Sequence, residues 1–547
     1  MHSKSEFSES FLLPNPSLKA YFGRVVEGQR EVYDTPFARG ESTGELLSTW
    51  INVLKSIRNE WPSLYDYEID LAKKVGPMSV MKPLADRMDD IESYYHGVLL
   101  PSEPISHSAI AAVKREWAKS SGLRLRNQQR TVELMKKSTN SGSPFFRKRR
   151  LVTDETLPCR VMRWSPTKIV QELPDYEFKQ TNDWIDSSHT SIWHAAAILG
   201  WRGQEGGPDP ADVKQRVVWM FPYAVNISEL QFYQPAIEAA QRFEIIPSWI
   251  SMESVDACVT RMFDTKRDQD LVVCTDFSKF DQHFNVSMQN AAFDVIRSIL
   301  SKDDRSTRWL EEVFPIKYNI PLAYKYGDTF VGKHGMGSGS GGTNFDETIA
   351  HRALQYEAAQ LRGAKLNPNS PCLGDDGVLT YPGITVEDVV QAYTSHGLEM
   401  NPEKQYASTQ DCIYLRRWHH RNYRVDGVCA GVYSTCRALG RLRFLERYQD
   451  PKYWGVKAVA LRQLSILENV RYHPLREQFV DFCMKRDKYR LGIDIPGFLS
   501  HIRREASEVI EHMPDFLGYT KTLQSGSDEL GGIESWWIVN YLRRKSK

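Results

Sequence analysis

The apolar positions of this chain fall into short runs of alternating or continuous hydrophobicity and into longer stretches at helical spacing. Leu271, Val272, Val273 and Cys274 form a β-branched apolar run that leads into Thr275 and Asp276, the pattern of a buried strand that presents an acid at its exit. Further on, Cys372-Leu373 and Val378-Leu379-Thr380 flank Gly374-Asp375-Asp376-Gly377, which predicts a tight hairpin with both acids at its tip. Between these elements lies Gly335-Met336-Gly337-Ser338-Gly339-Ser340-Gly341-Gly342, five glycines in eight residues. A helix is predicted to follow it directly. Asn344 with Glu347 three residues on reads as a capping box, Ala350, Leu354, Ala358 and Leu361 recur at helical spacing, and Gly363 fits the terminator.

Other elements follow from the same patterns. Ser42 with Glu45 opens a helix carrying Leu47, Ile51 and Leu54. Lys214-Gln215-Arg216-Val217-Val218-Trp219 alternates, so Lys214 and Arg216 share one face of an extended segment. Thr385 and Asp388 start a helix that runs through Val389, Val390 and Tyr393 to Gly397. Arg437, Arg441, Arg443 and Arg447 lie near helical spacing beside Leu442, Phe444 and Leu445, which predicts a helix with one basic and one apolar face.

The acids carry the candidate chemistry. Two carboxylates ~4 Å apart repel by about 4 kcal/mol at an effective dielectric near 20, and a divalent cation relieves that repulsion. Gly-Asp-Asp-Gly alone is common turn chemistry, and a lone Asp at a strand end is more often a cap. Asp276, Asp281 and the Asp375-Asp376 pair gain weight together, because a strand exit and a hairpin tip of one sheet bring their carboxylates side by side. A glycine-rich loop at a helix start also lets backbone approach a phosphate or sugar closely.

The order strand-Asp276-x4-Asp281, then Ser338-Gly339-x3-Thr343 at a helix start, then Gly374-Asp375-Asp376, resembles the A, B and C motifs of viral RNA-dependent RNA polymerases. The texture is most similar to the polymerases of picobirnaviruses, within the partitivirus and picobirnavirus group of double-stranded RNA viruses. The resemblance covers roughly residues 139 to 420. It implies an α+β right-hand polymerase with fingers, palm and thumb, closed by N-terminal and fingertip connections, its palm a small antiparallel sheet packed on helices. It also implies an RNA-directed nucleotidyltransferase that starts without a primer, with Asp276, Asp375 and Asp376 holding two Mg²⁺ ions, or Mn²⁺ in their place.

Further positions are assigned by the same resemblance. Thr139 to Phe146 resembles the template-guiding motif G, giving Ser141, Gly142 and Pro144, with Arg147, Lys148, Arg149 and Arg150 next to them as RNA contacts. Four consecutive cations suit phosphate, although such a run is often a solvated face. Lys214 and Arg216 resemble motif F, expected to neutralise the incoming triphosphate. Lys404 resembles the motif D lysine that donates a proton to pyrophosphate, and Arg416-Arg417 lies in a segment similar to motif E, beneath the growing 3′ end. Asp281, Ser338, Gly339, Thr343 and Asn344 are the expected nucleotide and ribose contacts. The chain departs from many positive-strand relatives at Glu347, where those carry an Asn that helps Asp281 read the ribose 2′-OH, so Asn344 is the expected substitute reader and the part played by Glu347, capping its helix or more, is left open by the sequence.

Composition bounds the rest. The 547 residues are 41% hydrophobic and 25% charged, with a net charge of +1, so a nucleic-acid enzyme of this kind must segregate its cations toward an interior channel. Arg124, Arg126, Arg130, Lys136 and Lys137 add to the basic set. Eight scattered cysteines without ligand spacing indicate neither zinc nor disulfides, and a reduced environment. No stretch reaches the length of a membrane span, and Phe11-Leu12-Leu13 is too short for a signal peptide. The expected division is an arm at 1–45, fingers at 46–250, palm at 251–433 with an excursion to the fingers around 300–335, and thumb at 434–547. Template and product RNA, nucleoside triphosphates and a capsid protein are the expected partners of a monomer working inside the virion and in host cytoplasm. Gln524 to Gly532 reads as a linker, and Trp536-Trp537 beyond it either stack on an initiating base or dock on the thumb. A capsid-associated RNA-binding protein and a reverse transcriptase are the alternatives; the first leaves the ordered acids unexplained, and the second usually has an aromatic before its paired Asp.

Overall fold

The computed structural model describes residues 8–11, 18–166, 168–172, 192–512 and 532–547. At its centre is a four-stranded sheet in the order Cys372–Leu373, Asp376–Leu379, Val272–Thr275, Tyr406–Ser408, with every neighbouring pair antiparallel. The period-two rule explains how Val272–Thr275 is buried on both faces. Val273 joins the large core that contains Ile349, Ala350, Ala353 and Leu354, whereas Val272 and Cys274 pack with Val255, Val259, Met262 and Phe263 of the helix Met252–Thr265. The sheet is thus enclosed between helices, and its polar ends open outward.

A second sheet has five strands in the order Ser8–Phe11, Gly327–Phe330, Leu322–Lys325, Ala197–Gln204, Lys214–Met220. The excursion around 300–335 therefore contributes two strands to it. The N-terminal arm reaches this sheet at one end and the C-terminal helices at the other. Thr35 donates its N–H to Arg443 O at 2.9 Å, Ala38 donates to Arg486 O at 3.0 Å, and Phe37 is fully buried in the C-terminal core. The arm is not all loop, since Leu18–Glu27 is an amphipathic helix with Leu18, Phe22 and Val25 buried.

Local signals for helices hold at several ends. Ser42 and Glu45 form the reciprocal capping box of Thr43–Leu54, whose buried stripe is Leu46, Trp50 and Leu54, with Leu47 and Ile51 at its border. Thr385 Oγ1 accepts from the Asp388 N–H at 3.1 Å at the start of Val386–Thr394. The helix after the glycine-rich loop differs from expectation: it is Thr343–Gln360 with Gly342 at the N-cap and no side-chain cap. Asn344 is taken instead by Trp249, whose Nε1 donates to Asn344 Oδ1 at 2.8 Å. Ala350, Leu354 and Ala358 are buried and Leu361 is exposed, while Gly363 ends the helix at φ +61°.

The basic face predicted near residue 440 is also corrected. On the helix Thr435–Arg443, Arg437 Nη1 is 2.7 Å from Glu205 Oε1, Arg441 pairs with Glu446, and Arg443 Nη1 donates to the carbonyl oxygen of Phe37 at 2.7 Å. These three arginines bind protein, Arg437 and Arg443 through groups remote in sequence and Arg441 through nearby Glu446, while Arg447 lies beyond the helix end and is exposed. At the C-terminus, Ile538, Val539, Tyr541 and Leu542 of the helix Trp537–Lys545 are buried in the C-terminal core, so the docked alternative describes this end. The linker residues from Gln524 to Gly531, like Leu12 and Leu13, lie outside the described residues.

Candidate active site

The sheet register builds the acidic centre. Gly377 is opposite Thr275 and Leu373 is opposite Asp376, so Gly374-Asp375 is a two-residue loop at the exit of Val272–Thr275, where Asp276 acts electrostatically on Asp375. Gly374 takes φ +58°, a conformation that favours glycine at the first position of such a turn. The loop is pinned from beneath: His351 Nδ1 lies 2.9 Å from Gly374 O, and Thr348 Oγ1 accepts the Gly374 N–H at 2.9 Å. Gln405 brackets Asp276, accepting its N–H at 2.7 Å and donating to its carbonyl oxygen at 2.9 Å.

The carboxylates crowd one another. Burial, then Asp375, pushes the Asp376 carboxyl up to about 7, against the opposing pull of the Leu415 N–H and Arg416. Asp375 sits at the exposed tip, yet the surrounding protein followed by Asp281 raises its carboxyl, with Arg216 lowering it in part. Glu347 joins these acids. It is buried, and burial followed by its hydrogen-bonded neighbour Asp281 and by Asp375 raises its carboxyl well above the usual range. Its Oε1 has no partner. It therefore belongs to the acidic centre and not to a helix cap.

A divalent cation fits this donor set. Every donor is a hard carboxylate oxygen, and raised carboxyls mark a site short of positive charge. Among the described residues no three His, Cys, Asp or Glu side chains form a complete cage. Mg²⁺ characteristically binds through one or two carboxylates and completes its shell with water and substrate phosphates, so an open pair such as Asp276 and Asp375 suits an ion that shares a triphosphate.

The glycine-rich loop is locked beside these acids. Ser338 Oγ accepts from the Trp219 N–H and donates to Val217 O, both at 3.3 Å, which ties the loop to the strand carrying Lys214 and Arg216. A Cβ on Gly339 would lie 1.6 Å from Trp219 O, so only glycine fits. Thr343 Oγ1 is within 3.2 Å of Gly337 O and 3.3 Å of Ser340 O, which uses its hydroxyl inside the loop. The Met336 N–H donates to Asp281 O at 2.8 Å. Lys214 and Arg216 are exposed on one face of their strand, and Arg216 reaches Asp375 electrostatically. Lys404 ends an exposed turn immediately before Gln405.

The expected RNA contacts divide. Arg147, Lys148 and Arg150 are exposed beside the buried Ser141-Gly142 turn and half-buried Pro144. Arg149 is turned inward, donating from Nη2 to Asn226 Oδ1 at 2.7 Å with its guanidinium 4.8 Å from the Tyr223 ring centroid. Arg416 is 40% exposed at its side chain, whereas Arg417 is buried in an ion pair with Asp256 at 2.8 Å. Arg149 and Arg417 thus leave the set of free cations, because each has a buried acceptor remote in sequence.

Three comparisons bear on this geometry. A family model of viral RNA-dependent RNA polymerases matches residues 211–434, the span from the Lys214–Met220 strand to the end of the small sheets. The chain is 56% identical over 543 residues, 98% of each chain, to a potential RNA-dependent RNA polymerase of human picobirnavirus (strain Human/Thailand/Hy005102/-). The crystal structure of the RNA-dependent RNA polymerase of a human picobirnavirus superposes with TM-score 0.90 at 56% identity over 98% of both chains. An insertion-loop deletion mutant of such a polymerase gives 0.88 at 55% identity, again over 98% of both. Register, acids and relatives agree over nearly the whole length, and the chain belongs to the viral RNA-dependent RNA polymerases, in the picobirnavirus group.

Proposed function

We propose that this polymerase copies the genome of a double-stranded RNA virus by two-metal nucleotidyl transfer and starts without a primer. The observation that carries the reading is the register that sets the Gly374-Asp375 loop at the exit of Val272–Thr275, where Asp276 acts on Asp375. The 3′-hydroxyl oxygen gives up its proton to solvent and forms a bond to the α-phosphorus, the bond from that phosphorus to the bridging oxygen breaks, and pyrophosphate leaves. Asp276 and Asp375 would hold the metals and Asp376 would support them from behind; such ions would supply activation of the attacking oxygen and neutralisation of phosphate charge. Arg216 and Lys214 meet the triphosphate, Asp281 accepts from the ribose hydroxyls, and Lys404 supplies the proton to the leaving group. Arg147, Lys148 and Arg150 hold template phosphates, and Arg416 meets the product strand. The palm is assigned to 251–433, flanked by fingers at 46–250 and thumb from 434. A capsid protein that retains a monomeric enzyme inside the particle completes the reading.

The test incubates purified protein with single-stranded RNA, labelled NTPs and Mg²⁺ without primer, beside Asp375→Ala and a dNTP control. Full-length product from the parent, absent in the variant and with dNTPs, is the expected result. Product only with a supplied primer would overturn primer independence, and template binding without turnover under any metal would overturn the catalytic assignment of these acids.

A further inference from the structure

We propose that Arg149, Asn226 and Glu229 form a polar relay coupling the basic loop at 139–150 to the glycine-rich loop at 337–342, with Asn226 and Glu229 as positioning residues for nucleotide addition. The inference rests on the reading of these loops as template-side and nucleotide-side. Its geometry is continuous. Arg149 Nη2 donates to Asn226 Oδ1 at 2.7 Å, and Asn226 Nδ2 donates to Gly339 O and to Glu229 Oε1, both at 3.1 Å. Glu229 in turn accepts from the Gly341 N–H at 3.1 Å and from the Ser340 hydroxyl.

Both central residues are buried, Asn226 at 5% exposure and Glu229 at 0%. The amide of Asn226 is oriented with its oxygen to a guanidinium and its nitrogen to a carboxylate, so each link polarises the next. Both residues lie on the first two turns of the helix Tyr223–Arg242, and the start of this helix is also fixed to the basic loop through the Tyr223 N–H to Ser141 O bond at 2.8 Å. A purely structural network would need only satisfied partners. Here the chain begins between Lys148 and Arg150, both exposed, and ends on Gly339, Ser340 and Gly341, next to Ser338. Movement of Arg149 when template phosphate engages its neighbours therefore changes what holds the nucleotide-side loop.

Coupling of this kind is measured by a double-mutant cycle. Single-nucleotide addition on a preassembled template is followed for the parent, Arg149→Lys, Asn226→Leu and the double variant, with template affinity measured in parallel and folding monitored by Tm. Arg149→Lys is expected to lower kcat about 5-fold with little change in KM for NTP. In the Asn226→Leu background the same change is expected to have no further effect. Multiplicative effects on kcat, or an Arg149→Lys effect confined to template affinity, would overturn the relay. Should Asn226→Leu fail to fold, Asn226→Asp keeps the size while replacing both donors with an acceptor facing Glu229, and the same cycle is run with it. The parent's own activity, lost in Asp375→Ala, keeps failure of the relay separate from failure of the functional reading.

Discussion

The Leu415 N–H donates to Asp376 Oδ2 at 2.8 Å, which ties the second acid of the hairpin to the turn of the neighbouring three-stranded sheet. Asp375 has no such anchor and projects from the tip. The two adjacent acids therefore differ in what their loss removes. Asp375→Asn is expected to reduce nucleotide addition by about 10²–10³-fold or more, as for loss of a principal charge-stabilising group. Asp376→Asn keeps an oxygen to accept the Leu415 N–H and is expected to cost about 10–100-fold, the scale of a supporting residue at a metal site. Parallel kcat measurements at saturating Mg²⁺ check the order; equal losses would place both carboxylates on the metals.

The glycine-rich loop gives a steric prediction. Gly339→Ala places a methyl group where Trp219 O already sits, 1.6 Å from the new Cβ, and the next nearest atom is the Trp219 carbonyl carbon at 2.8 Å, so strand backbone and not a flexible side chain has to yield. Overpacking of this kind costs about 1–3 kcal/mol, and the loop has to leave the strand that carries Lys214 and Arg216. A lower Tm together with a higher KM for NTP is the expected outcome. Gly332→Ala, where nothing lies within 4 Å of the added Cβ but φ is +110°, is expected to lower Tm without a comparable change in KM.

How much of this was legible in the sequence depends on the range of the contact. The strand Val272–Thr275, the acidic hairpin and the Ser42-Glu45 cap are local, and periodicity with turn chemistry was enough to find them. The place of Glu347 among the acids was not legible, because its burial beside Asp281 and Asp375 is set by packing between segments distant in sequence. Arg417 looked exposed because Asp256, its partner, is 161 residues away. The turn at Leu415-Arg416 carries no glycine or asparagine, yet both residues take positive φ, +50° and +61°. Such backbone costs of order 1–3 kcal/mol and is held by Asp376 on one residue and by the Tyr67 hydroxyl, 2.9 Å from Arg416 O, on the other. Cap choice shows the same competition: the Trp249 indole claimed Asn344 and left the helix start to Gly342.

Acid stability should carry the signature of buried neutral histidines. Burial holds His419 down at about 4, with Arg417 adding to the effect and Asp256 and the Cys429 carbonyl opposing it. Its Nδ1 lies 2.9 Å from Cys429 O and its Nε2 has no partner, so a second proton would be buried without an acceptor. An unfolded histidine titrates near 6.5. Between about 6.5 and about 4 the unfolded chain binds a proton that the folded one does not, so stability falls as pH drops through that window and is level above it. Glu347 and Asp376, raised in the fold, contribute in the opposite direction. A difference measurement isolates His419: His419→Gln is expected to flatten the dependence of unfolding free energy on pH by up to about one proton over this range. An unchanged slope would mean that His419 titrates alike in both states.

The C-terminal helix sets the last expectation. Glu468 accepts the N–H groups of Trp537 and Ile538 at 3.2 and 2.9 Å, Tyr541 Oη donates to Asp481 Oδ1 at 2.7 Å, and Arg543 Nη2 donates to Leu499 O at 2.7 Å. Ile533, Ile538, Val539 and Leu542 are each fully buried in the C-terminal core, and removing such side chains costs about 1.5–3 kcal/mol apiece before relaxation. Trp536 and Trp537 are themselves half-buried on this core, a placement that competes with stacking on an initiating base. Deletion of residues 533–547 is accordingly expected to lower Tm and to reduce primed extension and primer-free initiation by the same factor. Primed and unprimed assays on the truncated enzyme, run below its own Tm, decide the matter. Selective loss of primer-free product would show that this end leaves the C-terminal core to serve initiation, and would make the docked helix one of two working positions.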